Sequence, residues 1–115
     1  MSGNCLFCKV VSGEIPAAVV HRDDDLVAFK DINPQAPLHL LIIPTRHIAT
    51  LNDVGENDAA LIGRMLRLAA DLAKQNGHAD RGYRTVFNCN SQAGQTVFHI
   101  HLHLLAGRSL TWPPG

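Results

Sequence analysis

The sequence predicts an α+β domain: an antiparallel sheet of about five strands, covered on one side by one dominant helix. Three observations carry this. Leu61, Met65, Leu68 and Leu72 recur at helical spacing, widened by Ile62, Leu66 and Ala69, while Arg64, Arg67, Asp71 and Lys74 follow the opposite stripe. The strand-like segments outside that helix do not alternate with further helices, as a parallel sheet would require. The connections after His21 and Asn88 are short and favour hairpin-like neighbours.

In chain order, Asn4 is a candidate cap for a short helix carrying Leu6, Phe7, Val10 and Val11, which Gly13 would stop before Pro16. Ala18 to His21 reads as an edge strand, Asp23-Asp24-Asp25 as a turn, and Leu26 to Lys30 as a second strand. Two prolines make Asp31 to Pro37 a structured loop, since neither a continuous helix nor a central strand tolerates them. Leu38 to Ile43 is a buried strand ended by Pro44. The long helix starts at Asp53 or Asn57 and runs to about Gln75, where Asn76-Gly77 stops it. Tyr83 to Phe87 is a strand, Asn88 to Thr96 a polar loop, and Val97 to Leu105 the last strand.

With 115 residues the chain suits one domain, 1–115, whose small core would gain from oligomerisation. Ten basic and ten acidic residues cancel and no basic block occurs, which argues against a nucleic-acid polymer as partner. No apolar run reaches membrane-spanning length. The start, Met1-Ser2-Gly3-Asn4, lacks the basic and apolar regions of a signal peptide. Three cysteines cannot pair completely, and a cytoplasmic setting is the simplest expectation.

The chemistry concentrates at His99-Ile100-His101-Leu102-His103-Leu104. On a strand this alternation puts three imidazoles on one face and the apolar residues on the other. Histidine titrates near neutral pH, ligates metals and attacks phosphorus, so the face suits transfer at a phosphate or a metal rail. His101, flanked on both sides, is the natural nucleophile, and its neighbours suit phosphoryl oxygens or a leaving group. Gly94-Gln95-Thr96 just upstream offers backbone N–H groups and a hydroxyl to an anion, or is an ordinary hairpin loop. Asp31 suits ribose hydroxyls or a simple Asx turn. His39 is either a buried structural residue or one that orients His101 or relays a proton. Cys5-Leu6-Phe7-Cys8 is half of a tetrahedral zinc site, with His47 and His99 as the best complement, or a pair of ordinary thiols. Cys89 looks incidental. Leu6, Phe7, Val10, Phe29 and Ile32 are plain core or one wall of a base pocket. Trp112-Pro113-Pro114 is too apolar for a free tail and is expected to pack on the body or on a second subunit.

The histidine–apolar run resembles the motif that names the histidine triad (HIT) superfamily. The resemblance extends through Phe29-Lys-Asp-Ile-Asn-Pro-Gln-Ala-Pro37, His39-Leu-Leu-Ile-Ile-Pro44, His47, Asn88, Gly94-Gln-Thr-Val-Phe98 and Trp112-Pro-Pro-Gly115. Together these look like the histidine triad nucleotide-binding branch. The resemblance implies a five-stranded antiparallel sheet with one long and one short helix. It also implies a homodimer whose sheets join into ten continuous strands, with the 106–115 tail near the partner. The implied activity is hydrolysis of purine nucleoside phosphoramidates and aminoacyl- or lysyl-adenylates to AMP and an amine. His101 would form a nucleotidyl-histidine. His103 and His99 would complete the phosphate site, with His39 relaying or orienting. The Gln95 backbone, Thr96 and the loop from Gly94 to Val97 would meet phosphate. Asp31 and Asn88 would hold the ribose–phosphate region. Leu6, Phe7, Val10, Phe29 and Ile32 would enclose the purine, and Trp112 would influence the leaving group of the partner's site. Family members commonly carry serine where Thr96 stands, so leaving-group assistance is where a difference is expected. Catalysis would require no cofactor. A structural zinc on Cys5, Cys8, His47 and His99 is implied by relatives sharing the C-x-x-C pattern. Sister branches hydrolyse dinucleoside polyphosphates, against which the Trp-Pro-Pro-Gly tail argues; a nucleotide- or zinc-binding adaptor is the non-enzymatic alternative.

Overall fold

The computed structural model describes residues 4–115; the expectation for Met1-Ser2-Gly3 lies outside them. The elements are α1 (Leu6–Ser12), β1 (Val19–Arg22), β2 (Leu26–Lys30), β3 (Leu38–Pro44), α2 (Ala59–Gln75), β4 (Tyr83–Phe87) and β5 (Leu102–Ala106). The strands form one sheet in the order β1-β2-β3-β5-β4, with every neighbouring pair antiparallel. This is the predicted α+β architecture, and both short connections join adjacent strands. Among the described residues no helix is long and apolar enough to cross a membrane.

Strand alternation divides the core in two. Leu26, Ala28, Leu40, Ile42, Leu102 and Leu104 face α2 and meet Leu61, Met65, Leu68, Ala69, Leu72 and Ala73. Val27, Phe29, Leu41 and Ile43 face the other way and pack with Cys5, Phe7 and Val10 of the α1 region. The long helix therefore supports the sheet from behind, and the short one borders the face that carries the chemistry.

Beyond one-residue shifts at β1 and at the ends of β3 and β5, three boundaries differ from the sequence reading. Cys5, not Asn4, caps α1: its Sγ accepts the Cys8 N–H at 3.3 Å, and Gly13 closes the helix with φ 84°. The α2 helix begins later than Asp53 or Asn57, because Asp53 and Asp58 cap two preceding 3-10 turns through the Thr50 and Gly55 N–H groups.

The third difference matters most. Strand β5 begins at Leu102, not Val97, so His99 and His101 precede it and only His103 lies within it. Leu40 pairs with Leu104 and Ile42 with Leu102, and that register would next set Pro44 against Ile100. Proline has no N–H to continue the ladder. The Ile100 N–H turns instead to the Ile48 carbonyl at 2.7 Å. Strand β5 also includes Ala106, so the tail proper starts at Gly107.

Candidate active site and adjoining metal centre

The triad divides into two neighbouring clusters, and backbone groups fix the ring nitrogens in both. His101 Nδ1 lies 2.9 Å from the His99 carbonyl, so Nδ1 carries the proton and donates it. The lone pair is then on Nε2. His101 is buried, and Phe7 packs edge-on against it with ring centroids 5.1 Å apart. Burial lowers the His101 pKa, with the His99 carbonyl and Asp31 opposing. The imidazole is kept neutral, as a nucleophile must be.

His103 is reached from β3. The Gln35 N–H donates to His39 Nδ1 at 3.0 Å, which leaves the His39 proton on Nε2. That atom lies 2.9 Å from His103 Nδ1 and 3.4 Å from the Asp31 carboxylate. His103 therefore accepts at Nδ1 and presents Nε2–H outward. Burial, with the neighbouring His101 and His39, pushes its pKa down to about 4. His39 is also lowered by burial, with Asp31 opposing. His39 bonds to His103 and not to His101, because the β3–β5 register sets Leu41 opposite His103 and leaves His39 on the diagonal; of the two roles expected for it, the contact suits relaying a proton better than orienting His101 directly.

Asp31, His39 and His103 converge closely enough to suggest a second cation site. The Gln35 N–H argues against it. A metal on His39 Nε2 would force the ring proton onto Nδ1, directly against that donor. The cluster is a hydrogen-bonded relay. Asp31 also accepts the Asn33 N–H at 2.8 Å, so it does make the Asx turn while standing beside the relay.

His99 turns its ring away from the other two. Its Nε2–H donates to the Pro44 carbonyl at 2.8 Å, leaving the Nδ1 lone pair aimed at Cys5 Sγ (3.4 Å), Cys8 Sγ (3.6 Å) and His47 Nδ1 (3.3 Å). His47 Nδ1 lies 3.3 Å from Cys8 Sγ. A tetrahedral zinc, with Zn–S about 2.3 Å and Zn–N about 2.0–2.1 Å, spaces its ligand atoms by roughly 3.3–3.8 Å. Those four separations, 3.3–3.6 Å, already fall in that range, and all the donor atoms lie within 4.8 Å of one another. Burial, then the Cys5 thiol, raises the Cys8 pKa to about 11, so two adjacent thiolates need a cation to exist together. The donor set fits zinc, and His99 is withdrawn from the role of phosphate contact.

The remaining predicted residues fall into place unevenly. Gly94 takes φ 80° at the bend before Gln95. The buried Gln95 side chain ties the loop together, accepting the Asn90 N–H at 2.9 Å and donating to the carbonyls of Ala49 and Val97. This side-chain role is additional to the backbone one predicted. Thr96 is exposed, and Val97 and Asn88 are half-buried. Phe7, Val10 and Phe29 are buried, with the Phe7 and Phe29 rings 5.5 Å apart. Leu6 is exposed and Ile32 is 100% exposed, so neither is core. Trp112 is 82% exposed, which corrects packing on the body of its own chain. Sequence reasoning missed Gln35, Pro44 and Ile48, whose contributions are all backbone groups. Their only sequence signal was the proline that shapes each segment.

The chain matches the family model described as scavenger mRNA decapping enzyme C-term binding over residues 4–111. It is 48% identical over 115 residues to an uncharacterized HIT-like protein of Synechococcus elongatus, covering 100% of both. It is 48% identical over 110 residues to the purine nucleoside phosphoramidase of Escherichia coli, covering 96% of this chain and 92% of that one. The crystal structure of a HIT family hydrolase from Legionella pneumophila superposes with TM-score 0.96 at 60% identity, covering 97% of this chain and 100% of that one. A histidine triad protein from Clostridium difficile gives 0.93 at 38% identity, covering 96% of each. With the triad's geometry and these relatives together, this chain belongs to the HIT superfamily, in the branch that includes the bacterial purine nucleoside phosphoramidases.

Proposed function

We propose that this protein hydrolyses purine nucleoside phosphoramidates such as adenosine 5′-phosphoramidate to the nucleoside monophosphate and an amine, and aminoacyl- or lysyl-adenylates, which are acyl phosphates, to the nucleoside monophosphate and the amino acid. The observation that carries the chemistry is the His101 Nδ1–H bond to the His99 carbonyl, which leaves Nε2 free to attack. In the phosphoramidate reaction a His101 Nε2–P bond forms as the P–N bond breaks, and the nitrogen leaves as a protonated amine. The Thr96 hydroxyl is the candidate proton donor to that nitrogen, and His103 Nε2–H is the candidate donor to the phosphoryl oxygens. Water then attacks phosphorus, the His101 Nε2–P bond breaks, and the proton released by the water returns to the Thr96 oxygen. Asp31 and Asn88 would hold the ribose region, and Phe7, Val10, Phe29, Leu6 and Ile32 the purine.

Cys5, Cys8, His47 and His99 would hold a structural zinc, and no step of the reaction passes through it. The half-buried outer strand β4, with the exposed Tyr83, Leu66 and Trp112, supports a homodimer joined through that edge and tail. Its three unpaired cysteines suit a reducing, cytoplasmic compartment. The test is AMP release from adenosine 5′-phosphoramidate, with His101→Ala alongside. Wild-type turnover that the variant lacks is expected. Full activity in the variant would remove the nucleophile, and an inert wild type on every purine phosphoramidate would remove the substrate class.

A further inference from the structure

His99 faces two ways. Its ring belongs to the metal cluster, and its carbonyl belongs to the catalytic site, where it accepts the His101 Nδ1–H at 2.9 Å. Fixing the ring therefore restrains the carbonyl through one residue's short covalent frame. Two further ties run between the same clusters. The Ile100 N–H bonds the carbonyl of Ile48, next to the ligand His47, at 2.7 Å. Cys5 caps α1, and α1 carries Phe7 against the His101 ring. Three chain segments thus meet at the four donors, and each also touches the nucleophile or the peptide that holds it.

We propose that a zinc-class divalent ion on Cys5, Cys8, His47 and His99 sets the tautomer and attack direction of His101, with His99 acting as the positioning residue. Without the ion, the His99 ring keeps its Nε2–H bond to the Pro44 carbonyl, but only thiol and imidazole contacts hold its Nδ1 edge to the other three donors. Thiols are weak hydrogen-bond partners, so they restrain that edge of the ring poorly and leave it free to tilt about the Pro44 bond. The His99 carbonyl then no longer enforces Nδ1–H on His101, and the alternative tautomer places a proton on the attacking atom. The inference rests on the reading of His101 as nucleophile.

The test compares protein loaded with Zn2+ alone against the chelator-stripped form, with and without AMP. Long-range 1H–15N correlation of the imidazoles reads the His101 tautomer directly and requires no turnover. The loaded form is expected to show Nδ1–H only, and the stripped form a mixture with Nε2–H. On adenosine 5′-phosphoramidate, kcat is expected to fall at least tenfold on stripping, with KM held within about threefold, and added Zn2+ restores both. Cys8→Ser should reproduce the stripped form, and Cys8→His, which keeps a ligand, should restore the loaded one. A site that only stabilises the fold would lower Tm on stripping without moving the His101 tautomer, and that result overturns the proposal. Where the stripped protein does not fold, Zn2+ and Cd2+ forms are compared, since the longer cadmium bonds widen the cluster. A metal-dependent His101 nitrogen shift supports the proposal, and identical spectra overturn it. Protein inactive in every form that still shows the metal-dependent tautomer refutes the hydrolase reading and leaves the positioning inference standing.

Discussion

His39 Nε2 lies 2.9 Å from His103 Nδ1, joining residues 64 positions apart, and the Gln35 N–H on the far side of His39 sets the direction of that bond. The relay is thus built from the two-proline loop through β3 to β5, and its free end is the His103 Nε2–H.

Breaking it should cost catalysis more than folding. His39→Ala removes the donor to His103 Nδ1 and frees that ring to rotate. A lost hydrogen bond of about 1 kcal/mol corresponds to a five- to tenfold fall in kcat. AMP affinity should change less. Wild-type kcat in His39→Ala would show that the relay is idle.

Acid should weaken the fold before its carboxylates titrate. His103 has a folded pKa of about 4, held down chiefly by burial and then by His101 and His39, against about 6.5 in the unfolded chain. As pH falls from about 6.5 towards about 4, the unfolded chain takes up a proton that the fold refuses. Stability is therefore full above that window, falls through it, and levels off below it for this residue. His39 is lowered in the same direction. Discounted for the partial solvent access of His103, its contribution is about 1–2 kcal/mol. Urea midpoints at pH 7, 5.5 and 4.5 check this. His103→Gln should flatten the slope, and an unchanged slope would assign the acid sensitivity elsewhere.

Much of this architecture was legible because local patterns agree with tertiary burial. The spans Leu26–Lys30 and Tyr83–Phe87 follow from apolar runs bounded by turn residues, and the α2 stripe follows from its period. The histidine segment misled because alternation reports which face a side chain takes, not whether a ladder exists. Ile100 and Leu102 do lie in the α2-side core, yet the ladder ends at Leu102 and Pro44 keeps it from reaching Ile100. The partnership of His39 with His103 depends on strand register, and no local signal encodes that. Cys5 as cap and Gln35 as relay anchor were illegible for the same reason: one acts through an unusual acceptor and the other through its backbone.

The metal cluster should contribute to folding. Untagged protein is expected to carry close to one zinc per chain, with less than about 0.1 equivalent counting against the site. Cys8→Ser should lose the ion and destabilise by roughly 2–4 kcal/mol, a Tm drop of about 10 °C. Elemental analysis and thermal melts read both quantities. A zinc-free wild type with the same Tm as the variant would contradict the assignment.

Ile32 separates binding from stability. At 100% exposure it buries no apolar area in the folded chain, so Ile32→Ser should leave the urea midpoint within about 0.5 kcal/mol of wild type. If the side chain closes over a purine, the same change should raise KM for adenosine 5′-phosphoramidate several-fold and leave kcat nearly unchanged. An unaltered KM would remove Ile32 from the base site.

Asn90 carries the strain of the loop that leads to the triad. Its φ of 67° and ψ of −171° lie in a region that glycine alone occupies readily, and it is the one non-glycine residue with positive φ among the described residues. Its N–H donates to Gln95 Oε1 at 2.9 Å, and its carbonyl accepts the Gln95 N–H at 3.1 Å. Those two bonds hold the chain in that conformation and close the segment just upstream of Thr96. Such backbone strain costs about 1–3 kcal/mol. Asn90→Gly should release it, less the roughly 0.5–1 kcal/mol that glycine's freedom in the unfolded chain takes back. A net gain of about 1 kcal/mol in urea denaturation is expected, with both Gln95 bonds kept because they use only the Asn90 backbone. Asn90→Val should lose stability, since a β-branched side chain tolerates this conformation least. If the glycine variant were less stable than wild type, the Asn90 side chain would be contributing an interaction that outweighs the strain.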